Sequence, residues 1–542
     1  MRFLALASAV LVATIAAYSL ISNEDQSSSD RRVTGVRPCD VPIELLRRVW
    51  RGYMPGRSGD VLLIEWAPNQ FAGLRHSTPF PYTQNVPLVL YGPGFIKQGA
   101  SFDQPVTVAD MAPTMAELLH FDEFPEREGR MLHEALVPEE QRREVPRLIF
   151  TLVWDGGGDN LLEQWPQAWP NLKDLMSKSA VFENATVGSS PSITPAVHST
   201  IGTGVFPRVH GQTDMFVRIG NEMRFIWEKV SPKFLETPTL ADLWDVSQDN
   251  EPIVGAMARS SYHLGMMGHG AFLEGGDRDI TVVDETNGLN FNTNERYYEL
   301  PSYIRLRQSD LAAAVRRVDG LDGSVDGEWL GNPISAEDSE VRNTPAWPIY
   351  QTKILVDLME REGFGQDDVA DLLFVNYKST DLAGHAWNLL EPEEEGVLEE
   401  QDRQLGVLID ALDDLVGEGR YVLSLTADHG ISPYPSRTGG WAVSGDEIIA
   451  DIDRELGRQG SSRSLVVQNR GYQMFLDPKE MRASNVTAAD ISEFLRDYRI
   501  SENVTSDEGL RGFEGRSNER IFLTALTPSE LEDALACAAR KQ

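Results

Sequence analysis

Three apolar runs, each ending in acidic or histidine side chains, constrain this chain more than any other feature. RLIFTLVWDGGG opens the series at Arg147, running through apolar and β-branched residues to Asp155 and three glycines. Such a run reads as a buried strand whose carboxylate emerges at its C-terminal end, where open α/β sheets place their ligands. DLLFVNYKSTDLAGHAW supplies a second strand, Leu372–Tyr377, followed by Asp381 and His385 at i, i+4. That spacing turns both side chains toward one point if a helical turn begins there. YVLSLTADHGISP is a third strand, ending in Asp428-His429. Between the first two lies SSPSITPAVHSTIGTGVFPRVHG, where Ser, Thr, Pro and Gly crowd a turn before a short apolar helix from about Pro195. A Thr or Ser at that junction sits on a helix N-terminus, where backbone N–H groups and the dipole favour an anion. Strand-end carboxylates and a helix-start hydroxyl together suit a metal-activated nucleophile acting on a phosphate. One Asp-His pair after a strand is commonly only a loop capping a helix, but three strand ends make a constellation.

Length and charge bound the rest. The 542 residues exceed a minimal domain and fit one large α/β domain with insertions, or two domains. A formal charge of −34 disfavours a nucleic-acid scaffold, which needs Lys and Arg against phosphate. A small-molecule phosphate ester is compatible with that charge, because bound metal ions dominate the local field. Met1–Ile21 carries one Arg and then an apolar run before polar NEDQSSSD. It reads as a signal peptide or short anchor over 1–22, with export to the periplasm, the cell exterior or an outward-facing membrane anchor.

The motif set resembles the alkaline phosphatase superfamily, nearest its type I phosphodiesterase/nucleotide pyrophosphatase branch. The resemblance rests on Asp155, the Thr194-Pro-Ala-Val-His198 turn, Asp381-x-x-x-His385 and Asp428-His429. It implies an alkaline-phosphatase-like central sheet with helices on both faces and an inserted cap region. It also implies two Zn2+ ions and a covalent phosphothreonine formed on Thr194. One ion would be held by Asp155, Thr194, Asp428 and His429, the other by Asp381, His385 and a further histidine. Sulfatases of the superfamily use Cys/Ser-x-Pro-x-Arg, and Ser190-Pro191-Ser192-Ile193-Thr194 lacks the Arg.

The further histidine normally follows the Asp-His pair, yet no histidine follows His429. The N-terminal segment resembles the family's C-terminal end: strand Val61–Trp66, a loop with His76, strand VPLVLYG, and a helix from about Asp110. The chain therefore resembles a circularly permuted member, and His76 is the implied missing ligand. On this reading 23–40 is a linker and 41–133 the permuted C-terminal part. Residues 134–146 join it to the nucleophile-bearing core of 147–211, 212–344 form the cap, and 345–542 complete the catalytic core. The permuted order also brings Cys39 and Cys537 to the cut, implying a disulfide; two unrelated thiols are the alternative.

The cap region loses regular alternation, and in it His263 and His269 read more readily as packed histidines than as ligands. His198 and His210 read as structural parts of the nucleophile turn. Glu394–Glu395 and Glu399–Glu400 read as a solvated face of a helix over Glu395–Val416. Monoesterases of the related phosphate-irrepressible group carry Lys-x-Arg in the cap. Here Ala256-Met257-Ala258-Arg259 leaves only Arg259 to meet the substrate. Thr213-Asp214 occupies the region of a family Asn, and an Asp there repels a dianion more than a monoanion. Phosphodiesters or nucleotide pyrophosphates are thus preferred over monoesters. The alternatives are an alkaline phosphatase-type phosphomonoesterase and a non-catalytic metal-binding relative.

Overall fold

Continuous apolar runs make the centre of the molecule. In this computed structural model, residues 25–541 are described, apart from 75, 143–144 and 506–508. The expected leader over 1–22 lies outside the described residues. Among those described, no helix is long and apolar enough to cross a membrane.

The strands Leu148–Trp154, Asp371–Tyr377 and Tyr421–Thr426 are buried at every position. Strands covered on both faces read as unbroken apolar runs, which is why all three were visible in the sequence. They form the middle of a nine-stranded sheet. Toward one edge come Val254–Ala258, Asp279–Val283 and Tyr298–Glu299; toward the other, Leu88–Tyr91, Ala180–Phe182 and Ala100–Phe102. Only Leu88–Tyr91 runs against its neighbours. Along Leu148–Trp154 the side chains divide by parity. Leu148, Phe150, Leu152 and Trp154 pack with the helices Pro170–Ser177, Ala346–Glu362 and Pro392–Leu415. Ile149 and Val153 pack with Met111–Leu118, Thr194–Thr203 and Leu240–Ser247 on the opposite face. Each such buried side chain contributes about 1.5–3 kcal/mol. This is the α/β architecture expected, a central sheet with helices on both faces.

Register places the chemistry. Trp154 pairs with Tyr377, and Val153 with Thr426, so the three central strands stop level at one edge. Asp155 and Lys378 follow directly from two of those ends, and Asp428 follows the third after Ala427.

Three stretches differ from expectation. Residues 212–344 are not simply a cap: Val254–Ala258, Asp279–Val283 and Tyr298–Glu299 are parallel strands of the main sheet. Short buried strands without alternation carry no periodic signal to separate them from loops. The Ser- and charge-rich stretch of 23–40 is helical over Asp25–Thr34. Nor is the acidic helix face fully solvated, for Glu394 and Glu400 are 0% and 1% exposed.

A second, antiparallel sheet runs Val466–Asn469, Gln473–Leu476, Val61–Glu65, Phe522–Leu526. An N-terminal strand thus sits between two C-terminal ones. Nearby, Cys39 and Cys537 form a disulfide with a Cα–Cα distance of 5.5 Å. The bond joins the Pro38–Asp40 turn to the helix Pro528–Ala539. Cys537→Ser is expected to lower unfolding free energy by roughly 2–5 kcal/mol, because the open chain gains conformational freedom when unfolded. Melts of wild type with and without reductant check it; identical melting temperatures would reject the staple.

Glu65 ends its strand fully buried, and burial pushes its carboxyl up to about 7. The unfolded carboxyl titrates near 4.5, so between these values the unfolded state releases a proton that the folded state keeps. Stability is therefore full below about pH 4.5 and declines as pH rises through 7. The whole decline amounts to about 3 kcal/mol. Glu65→Gln is expected to flatten it, measured as denaturation midpoints from pH 5 to 8 against wild type.

Candidate active site

The turn after each central strand is held by close backbone approach. Gly156 has φ +72°, and a Cβ there would lie 2.9 Å from the Cα of Asp381. The strand-end carboxylate and the helix Ser379–Ala386 are thereby brought together. Thr194 begins the helix Thr194–Thr203, with Pro195 in its first turn and Gly204 closing it in the left-handed region. Every residue of that helix is buried. A Cβ on Gly202 would lie 2.3 Å from the Met266 carbonyl oxygen, so the Ser261–Met266 turn packs directly on the helix.

Most of the side chains expected as ligands stand close together, around Asp381 and Asp155. His76 Nε2 lies 3.3 Å from His385 Nε2 and 3.6 Å from Asp381 Oδ1. His385 Nε2 and His429 Nε2 lie 3.4 and 3.9 Å from that same oxygen. His429 Nε2 is also 3.3 Å from Asp428 Oδ2 and 3.5 Å from Asp155 Oδ1. Donors of a tetrahedral ion at its usual bond lengths stand about 3.3 Å apart. Asp381 Oδ1, Asp428 Oδ2 and His429 Nε2 are buried with no hydrogen-bond partner. Buried polar atoms are otherwise almost always satisfied, so these orphans fit a cation. The unused nitrogens are engaged: His76 Nδ1 donates to the Ser192 carbonyl at 2.9 Å, and His429 Nδ1 to that of Gly430 at 3.2 Å. Those bonds turn both Nε2 lone pairs toward the cluster. Burial holds both imidazoles neutral, His429 down at about 4 and His76 well below its usual value. Neutral imidazole is the form that binds metal.

Lys378, which sequence reasoning missed, stands at the centre of this group. Its Nζ donates to Asp155 Oδ1 at 2.7 Å and Thr194 Oγ1 at 3.1 Å, and pairs with the Asp381 carboxylate, 2.8 Å from Oδ2. Burial opposes its charge, but Asp155 and Asp381 outweigh burial and keep it an ammonium. Burial likewise opposes the Asp155 carboxylate, and the Lys378 charge more than compensates. Asp428 is pushed upward by burial and then by Asp155.

Three further neighbours surround Asp155. Asn376 Nδ2 donates to Asp155 Oδ2 at 2.9 Å and faces His198 Nε2 at 3.1 Å. His198 Nδ1 donates to the Thr194 carbonyl at 2.9 Å, so this histidine ties the nucleophile turn to Asn376. His263 Nε2 lies 3.4 Å from Asp155 Oδ2 and has no hydrogen-bond partner. It belongs to the donor group around Asp155, against the reading of a merely packed histidine. Nothing in local sequence marked it, because its turn reaches the site only through packing on Gly202.

The two expected substrate contacts lie outside the cluster. Asp214 is buried and receives hydrogen bonds from Tyr472 and Gln473, both at 2.8 Å, with Arg470 at 3.0 Å. Its carboxylate is therefore spent on joining the nucleophile turn to the small sheet. Arg259 follows the strand Val254–Ala258 and donates to Ser260 Oγ at 3.1 Å, while its Nε has no partner.

This arrangement of sheet, helix-start hydroxyl and strand-end donors agrees with the sequence comparison. Residues 149–513 match the family Type I phosphodiesterase / nucleotide pyrophosphatase. The chain belongs to this family. It is thereby a phosphoric ester hydrolase of the alkaline phosphatase superfamily. Alkaline phosphatase PafA of Elizabethkingia meningoseptica is 22% identical over 415 residues, covering 66% of this chain and 73% of the relative. Alkaline phosphatase PhoV of Synechococcus elongatus is 21% identical over 409 residues, covering 66% and 72%. The crystal structure of wild-type PafA superposes with a TM-score of 0.54 at 20% identity, over 65% of this chain and 76% of that one. These likenesses agree with the fold.

Proposed function

We propose that this family member is a metal-dependent phosphodiesterase in which Thr194 attacks phosphorus and zinc is held by His76, Asp381, His385 and His429. The observation that carries this reading is the set of Nε2 and Oδ1 atoms at 3.3–3.9 Å, lying across Lys378 from the Thr194 hydroxyl. A bound zinc supplies Lewis acidity at phosphoryl oxygens and acidifies a coordinated hydroxyl or water. The chain's own groups do the rest. The helix Thr194–Thr203 aims its N-terminal N–H groups at the anion. Thr194 Oγ would give up its proton to solvent and bond to phosphorus as the ester oxygen leaves and takes a proton from water, giving a phosphothreonine; water would then add to phosphorus, breaking the Oγ–P bond and returning a proton to Oγ. Lys378 holds the Thr194 oxygen and favours its anionic form. His198 and Asn376 fix Asp155 and the turn.

The preference for diesters no longer draws on Asp214, since Arg470 compensates that charge. It rests on Arg259 standing without a neighbouring lysine in the pattern expected of monoesterases. Release of nitrophenol from bis- and mono-nitrophenyl phosphate tests it. The diester is expected to be turned over at least about tenfold faster. A faster monoester would make the enzyme a phosphomonoesterase, and no release from either would favour the non-catalytic alternative.

The permuted order is part of the same reading. It is supported by the family match beginning at 149 and by Val61–Glu65 lying between Gln473–Leu476 and Phe522–Leu526. The Cys39–Cys537 bond would then close the cut, and such a bond belongs to an oxidising compartment, in keeping with export.

A further inference from the structure

Lys378 disagrees with a site for two metal ions. The second ion expected from the family pattern would share Asp155, Asp428, His429 and the Thr194 hydroxyl. Two of those donors, Asp155 Oδ1 and Thr194 Oγ1, are held by the Lys378 ammonium, as is Asp381 Oδ2. An ammonium has no lone pair and cannot itself bind a cation, and two hydrogen bonds and one ion pair tie it to these three oxygens. Its side chain is 6% exposed, and it follows a fully buried strand whose register with Leu148–Trp154 is fixed. It is held in place on every side.

Charge points the same way. The site gathers the carboxyl groups of Asp155, Asp381 and Asp428 around one lysine. A second divalent cation would share oxygens with a fixed ammonium, with little solvent between the two like charges. Of the three orphaned atoms, Asp381 Oδ1 and His429 Nε2 lie on the His76 side of Lys378, where one ion satisfies both, and Asp428 Oδ2 stands 3.3 Å from His429 Nε2.

We infer that this enzyme works with one tightly held divalent cation, at His76, Asp381, His385 and His429, and that Lys378 takes the second cation's place beside Thr194. The inference rests on the metal-dependent reading above. Lys378 is thus a catalytic residue that supplies positive charge at the nucleophile, and the chain departs from the two-ion pattern through that one side chain.

The test is metal content. Wild type, incubated with excess zinc and desalted, should retain one zinc per chain by elemental analysis. Lys378→Ala should retain two, and Lys378→Met, which keeps the length but not the charge, should retain more than one. Thermal melts of each loaded protein establish that it is folded. Wild type retaining two zinc ions per chain would overturn the inference, as would a folded Lys378→Ala that still retains one. His76→Ala separates the two readings. Loss of zinc from that variant supports the shared metal position, whereas absence of zinc from wild type would overturn that reading and this inference together.

Discussion

Thr194→Ala is expected to lower turnover of a nitrophenyl phosphate diester by at least about a thousandfold while leaving bound zinc unchanged. The hydroxyl lies at the start of a wholly buried helix and receives a hydrogen bond from Lys378, but it is not among the closely spaced Nε2 and Oδ1 atoms around Asp381. Removing it takes away the attacking oxygen and one of the three oxygens around the ammonium. A cation held by His76, Asp381, His385 and His429, as proposed, would keep all its ligands. Equal zinc content with turnover near that of wild type would return the nucleophile to the neighbouring serines, Ser190 or Ser192. Ser192 is the weaker of these, because its hydroxyl already donates to backbone carbonyls, including that of Thr78 at 3.3 Å.

His76→Ala is expected to weaken zinc binding by more than about a hundredfold, beyond the usual cost of losing a partner outside the ligand shell. Turnover at limiting zinc should fall in parallel and recover in part at high zinc. The cluster would keep two imidazoles and a carboxylate, the minimum a catalytic zinc site uses, so recovery is an expected result and not a contradiction. His429 would also lose the ring stacked against it, whose centroid lies 3.6 Å away. Competition with a chromophoric chelator measures the affinity directly. An unchanged affinity would remove His76 from the ligand set and with it the chief support for the permuted order.

What could be read from sequence follows from how each residue reaches the site. Asp155, Asp381, His385, Asp428 and His429 leave the ends of long buried strands, and such strands announce themselves as apolar runs. His76 required comparison with a family pattern in an altered order, since no spacing links it to residues more than three hundred positions away. Lys378 lies in plain view between Tyr377 and Ser379, yet a lysine after a strand is ordinarily a solvated loop residue. Only the level register of three strands shows that it points inward. His263 reaches Asp155 through a turn pressed on Gly202, a tertiary contact without a local pattern. Glu394 and Glu400 read as solvated because helix periodicity does not reveal what packs over an acidic face. Asp214 illustrates the opposite error, for its acidity suggested substrate repulsion when its charge is compensated by Arg470 from the small sheet.

The seating of Val61–Glu65 between Gln473–Leu476 and Phe522–Leu526 has a consequence for the order in which the molecule comes into being. On a ribosome this strand emerges early and lacks both neighbours until nearly all of the chain has been made. Pairings this distant in sequence form slowly, and an apolar strand left waiting exposes an unpaired edge. The loop carrying His76 follows that strand directly. On the proposed reading, the loop that offers His76 is therefore anchored late, after every other ligand residue has already been made.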